Sequence, residues 1–200
     1  MIDRPRVDLF CEDRGHEQFA RALIERIADK LDQKPSIRTR NGRGGHGKAI
    51  TEFKAWQRAV TNGYIDHELP DLLVLLIDAN CIGWAQARRE LEQAVEPGIF
   101  PRCAIGCPDP HVERWYLADP QAVQEIIGIP PPSDPGKCER HFYKQLLRQT
   151  IQNADQPIAS LEMAYASDLV AAMDFFRAGK NQPSLKHFVE QIQSALQQLC

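Results

Sequence analysis

Apolar residues along the chain change their spacing at regular intervals, and each change predicts an element. Val7 to Cys11 is short and apolar-rich behind a proline, which predicts a strand. Phe19, Leu23, Ile24, Ile27 and Leu31 then follow helical spacing and predict a helix over His16 to Leu31. Ser36 to Arg40 alternates as a short strand. Asn41 to Gly47 carries four glycines in seven residues and reads as a loop. Ile50, Phe53, Trp56 and Val60 mark a helix over Ala49 to Thr61. Leu72 to Asp78 is the most legible strand; it is apolar on both faces, so it should run through the centre with helices on either side.

Gly83 to Val95 is a helical stretch stopped by Pro97-Gly98, and Arg102 to Cys107 reads as a further strand. Val112 to Leu117 and Gln121 to Ile127 predict two short helices. Residues 129–137 are proline-rich and irregular. Beyond them no strand pattern remains: Arg140 to Asn153, Ala159 to Phe176 and Ser184 to Leu199 all read as helices, the last with Ser184 as its N-cap. Strands alternating with helices imply an α/β domain over residues 1–128, with a mostly parallel sheet sandwiched by helices. A connector at 129–137 leads to an all-helical extension, 138–200, packed on the same core.

Composition narrows the classes. Hydrophobic residues are 43% and charged residues 26% of 200, the mix of a water-soluble globular domain. Lys plus Arg is 24 against 27 Asp plus Glu, so bulk charge does not coat nucleic acid, although a local basic groove stays open. Leu72 to Ile77, the longest apolar run, is too short to cross a bilayer. Met1 to Pro5 has no apolar stretch like that of a secretory leader. Six cysteines at 11, 81, 103, 107, 138 and 200 form no C-x-x-C pair, and they read as reduced thiols of a cytoplasmic protein.

In an open parallel sheet, ligands bind beyond the carboxyl ends of the strands. There the sequence places Glu12, Asp78 with Asn80, and Asp109 followed by Glu113 and Asp119. Converging acids repel unless a cation neutralises them, and short oxygen donors suit Mg²⁺ or Mn²⁺. Arg38, Arg40, Arg43 and Lys48 form a basic run with no acid between Ser36 and Ile50; with His46 they are the candidate nucleic-acid or phosphate contacts.

Glu12-x-x-Gly15 after one apolar strand and Leu-Leu-Ile-Asp78-Ala-Asn80 after another resemble the TOPRIM signature. The glycine-rich segment Gly42 to Lys48, the run Val112 to Asp119 and the pattern Ser184-x-x-x-Phe188 are similar to those of small stand-alone TOPRIM-like and OLD-type nucleases of bacterial defence or mobile-element loci. The resemblance implies Mg-dependent phosphodiester chemistry on nucleic acid, with Glu12 as general acid or base or as a metal ligand, and Asp78 on the metal. Asn80 stands where an aspartate is usual; Glu113, Asp119 or Asp109 would supply the missing carboxylate, and Glu113 would make a second metal site possible. The same resemblance implies a separately encoded ATPase partner, because this chain has no P-loop of its own. A catalytically weak subunit serving that ATPase is the alternative to a nuclease.

Plainer roles compete with each of these. Glu12 could cap the helix that follows, and Asp78 could close an Asx turn. Glu113 could pair with an arginine at a corner built on Trp115. His16, His67, His111, His141 and His187 read as surface or internally satisfied side chains rather than ligands.

Overall fold

The computed structural model describes residues 4–42, 46–64, 68–139, 141–154 and 165–199. Four strands form one all-parallel sheet: β1 (Arg6–Cys11), β2 (Ser36–Asn41), β3 (Leu72–Leu76) and β4 (Cys103–Gly106), in the order β2-β1-β3-β4. Parallel neighbours need crossovers, and helices supply them. They are α1 (Arg14–Asp29), α2 (His46–Thr61) and α3 (Trp84–Ala94).

The pleat of β3 divides the core in two. Leu72, Val74 and Leu76 join Val7 and Leu9 of β1 and the buried stripe of α1 on one face. Leu73 and Leu75 join Phe10, Ala49, Phe53 and Leu91 on the other, under α2 and α3. All five residues of β3 are buried, as its double-sided apolar sequence requires.

Six more helices occur among the described residues: α4 (Val112–Tyr116), α5 (Pro120–Ile127), α6 (Phe142–Gln152), α7 (Ala166–Ala172), α8 (Phe175–Asn181) and α9 (Pro183–Gln197). All six place buried residues in the α1-side core. α9 lies so close to β4 that a Cβ on Gly106 would fall 2.7 Å from Leu76 Cδ1 and 2.9 Å from the Phe188 ring. Gln191 of α9 also accepts the edge N–H of Ile105 at 2.8 Å, which covers part of the open edge of β4.

Three expectations need correction. The stretch Ala159 to Phe176 is not one helix where it is described: Met173 turns extended, and Asp174 starts α8 by accepting the N–H groups of Phe176 and Arg177. Residues 155–164 lie outside the described residues, as does Arg140. Helix α9 is capped at Gln182, one residue before Pro183, while Ser184 accepts the indole N–H of Trp115 at 3.0 Å. Finally, Cys81 and Cys138 are joined in a disulfide across 57 residues, against the reading of six reduced thiols. Cys11, Cys103 and Cys107 are free, and burial raises the pKa of all three thiols, those of Cys103 and Cys107 to about 12. No described helix is long and apolar enough to cross a membrane.

Candidate metal centre

The strand order fixes where a site can form. From β1 the chain crosses by α1 to β2 on one side, then returns by α2 to β3 on the other. Helices α1 and α2 therefore cover opposite faces, and a crevice opens between the carboxyl ends of β1 and β3. Glu12 directly follows β1, and Asp78 follows β3 by two residues.

A cavity of about 810 Å³ occupies this crevice, lined by Glu12, Asp13, His46, Asp78, Asn80, Cys81, His111, Glu113, His141 and Lys144. Glu12 does not cap α1. Asp13 does, accepting from Gly15 N at 2.8 Å and His16 N at 3.1 Å. That leaves the Glu12 carboxylate free to turn inward, where its Oε2 is buried without a hydrogen-bond partner among the described residues. Burial and the neighbouring Asp78 charge raise the Glu12 pKa above the ordinary carboxyl range.

Asp78 is 7% exposed. His16 Nε2 donates to its Oδ1 at 2.8 Å and His111 Nδ1 to its Oδ2 at 3.0 Å. His46 Nδ1 donates to its backbone carbonyl at 2.8 Å. Burial alone would raise the Asp78 carboxyl pKa; the two histidines overcome it and lower it. His16, 1% exposed, lies between two carboxylates, with Nδ1 on Asp13 at 2.8 Å. Ionised carboxylates only accept, so both ring nitrogens carry protons here. Burial opposes that charge, but Asp78 and Asp13 outweigh it and hold the His16 pKa well above the usual histidine range.

Ligand atoms from Glu12, His16 and Asp78 all lie within 4.8 Å of one another, the one such group of three among the described residues. No described arginine or lysine pairs with Glu12 or Asp78. Glu113 lines the same cavity, its pKa raised by burial first and then by Asp78, and no described arginine pairs with it; Arg114 pairs with Asp134 instead, at 2.7 Å. Helix α4 is held against the start of α1 by the Tyr116 hydroxyl, which donates to Gly15 O at 3.0 Å.

Asn80 also lines the cavity, and its side-chain amide donates to the Asp78 carbonyl at 3.4 Å. Asn80 and Cys81 are consecutive non-glycine residues at φ 47° and 73°. Such left-handed backbone costs about 1 kcal/mol or more per residue and marks sites where surrounding structure enforces it. Here the Cys81–Cys138 disulfide ties this turn to the segment just before α6, which brings His141 and Lys144 to the cavity wall.

The remaining strand-end acids are used elsewhere. Asp119 is fully buried, caps α5 and is gripped by Arg177 at 2.9 and 3.0 Å. Asp109 accepts the N–H of Trp84 at 3.2 Å. The described members of the basic run do not gather at the cavity. Arg38 pairs with buried Asp8, its register partner on β1, at 2.6 Å. Arg40 lies over the Trp56 ring, Lys48 is exposed on α2 away from the cavity, and Arg43 lies outside the described residues. Of the described members of that set, His46 alone lines the crevice.

Sequence reasoning passed over His16, His111 and His141, all of which line or bind the site. His187 does pack internally, against the Trp84 ring and Arg88, while His67 lies outside the described residues. The missed signal was local: in Glu12-Asp13-x-x-His16 the capping aspartate fixes the start of the helix, so the histidine one turn later must sit beside the end of β1.

The chain matches no family model, no curated protein and no solved structure.

Proposed function

We propose that the chain is a TOPRIM-like, divalent-metal-dependent phosphodiesterase that cleaves nucleic acid, of the kind the resemblance associates with bacterial defence and mobile-element loci. One observation carries the reading. Glu12 and Asp78, from adjacent strand ends, share a cavity with an unpartnered buried carboxylate oxygen and no arginine or lysine pairing with either of them among the described residues. Asp78 meets only imidazoles, which can give up a proton to make room for a cation, and one oxygen of Glu12 has no partner among the described residues.

The donor atoms suit Mg²⁺ or Mn²⁺: Glu12 and Asp78 would hold the ion, with Asn80 and Glu113 beside them. When bound, such an ion offsets phosphate charge and polarises the phosphorus–oxygen bonds. The chain supplies the rest. Glu12 is the carboxylate at the first strand end placed to take the proton of an attacking water. Glu113, with its raised pKa, can return a proton to the sugar oxygen as its bond to phosphorus breaks. Lys144, which lines the same cavity beside His141, offsets the phosphate's remaining charge.

Incubation of plasmid and single-stranded oligonucleotides with the protein and Mn²⁺ or Mg²⁺ tests the reading. Cleavage by wild type that Glu12→Gln abolishes supports it; equal cleavage by both refutes it. A second reading, a weakly catalytic subunit serving a partner ATPase, draws on Asn80 at the position of the usual acid. Metal binding without cleavage by the isolated chain would favour that reading.

A further inference from the structure

The oxygen-only donor set expected from the sequence is not the set the crevice assembles. We propose that His16 is itself a metal ligand, its Nε2 proton passing to solvent as the ion takes its place, and that the centre of Glu12, His16 and Asp78 selects a first-row transition-metal dication over Mg²⁺. The inference rests on the reading of the crevice as a metal centre and specifies its donors and its ion.

Four observations support it. The ring of His16 is aimed, not merely accommodated: Asp13 takes Nδ1 at 2.8 Å and thereby presents Nε2 to Asp78 Oδ1. A carboxylate on the remote nitrogen is the usual partner of a metal-binding histidine, fixing its tautomer and rotation. Asp13 is immobilised in turn, because the same oxygen accepts the two N–H groups that open α1. Third, His111 holds the second oxygen of Asp78 at 3.0 Å, which leaves Oδ1 to His16. Fourth, Glu12 Oε2, buried and unpartnered, lacks a bond that a cation would supply.

Two carboxylates and one imidazole form a mixed nitrogen–oxygen set. Mg²⁺ prefers oxygen and sheds its water reluctantly, whereas imidazole favours Mn²⁺ and the later first-row ions. A histidine retained only to neutralise Asp78 would not change which ion binds.

Electron spin-echo spectroscopy of Mn²⁺ added to the metal-stripped protein reads the nitrogen donor directly. Wild type should show imidazole nitrogen coupling, His111→Ala should retain it, and His16→Ala and His16→Gln should lose it. In competition titrations Mn²⁺ should outbind Mg²⁺ by about 100-fold in wild type, narrowing to about tenfold or less without His16. Mn²⁺ bound without nitrogen coupling in wild type, or coupling that survives both His16 substitutions, overturns the inference; the wild-type spectrum decides even should a variant fold poorly. Cleavage assays separate the two claims. Nitrogen-coupled Mn²⁺ with no strand cleavage removes the nuclease reading and leaves this one intact. Cleavage driven equally by Mg²⁺, with no nitrogen signal, does the reverse.

Discussion

Asp78 and Asp119 are both nearly inaccessible aspartates, and both were candidates for the same metal, yet the fold treats them oppositely. Asp119 is closed. Arg177 grips both its oxygens, the Asp174 N–H takes one of them at 2.7 Å, and its other bond caps α5. Asp78 has only imidazoles, and beside it stands a glutamate whose buried oxygen bonds to nothing among the described residues. A guanidinium is permanently charged and fills the space where a cation would go; an imidazole can surrender its proton and become a donor. Burial therefore does not separate a structural acid from a functional one; the kind of counter-charge does.

The largest effect should come from breaking the closed site. Asp119→Ala removes a helix cap and a network of buried hydrogen bonds at once, and should cost about 3 kcal/mol in urea denaturation while leaving Mn²⁺ affinity unchanged. An equal loss of metal affinity would mean the two sites are not separate. Next is Asp13→Asn. Asparagine caps helices as well as aspartate does, so the start of α1 should hold while the lost charge beside buried His16 lowers stability; Mn²⁺ affinity should fall by about 10-fold to 100-fold. Calorimetry that finds full affinity would deny Asp13 any orienting role.

The smallest effect has the opposite sign. Glu12→Gln removes the charge from a half-buried carboxylate with one unpartnered oxygen, so the metal-free protein should gain about 1 kcal/mol even as Mn²⁺ ceases to stabilise it. The same imbalance sets a pH dependence. The folded-state pKa values of Glu12, Glu113 and His16 are all raised, so their stabilising contributions are present at acid pH and disappear as pH climbs through those elevated values. Asp78 is depressed, and its contribution is lost only as pH drops below the ordinary carboxyl range. Melting of the EDTA-treated protein should be highest in mild acid and decline toward alkaline pH. A flat profile, or one rising through neutrality, would contradict the assigned charges.

The backbone was far more legible than the site. Leu72–Leu76 declares a central strand because both its faces are apolar, and the α1 stripe declares a helix because its period is helical. Strand ends named more acids than converge: Glu12, Asp78 and Glu113 line one cavity, whereas Asp109 and Asp119 are used elsewhere. Partnership across the sheet was not readable. Arg38 belonged to a basic run in sequence, but parallel pairing sets it against Asp8 and spends its charge there. His16 looked like any histidine on a buried helical face, since nothing in the sequence shows that its ring reaches Asp78, 62 residues on. Cys81 and Cys138 lacked a spacing signal because their pairing depends on where the connector runs, which a proline-rich sequence leaves open.

The central claim is that the open pair, Glu12 and Asp78, holds a divalent cation. Calorimetric titration of Mn²⁺ into the metal-stripped wild type, beside a folded Asp78→Asn variant, tests it most directly. One saturable site in wild type, weakened about 100-fold or more in the variant, is the expected outcome. No saturable heat in wild type, or the same isotherm for both proteins, would contradict it.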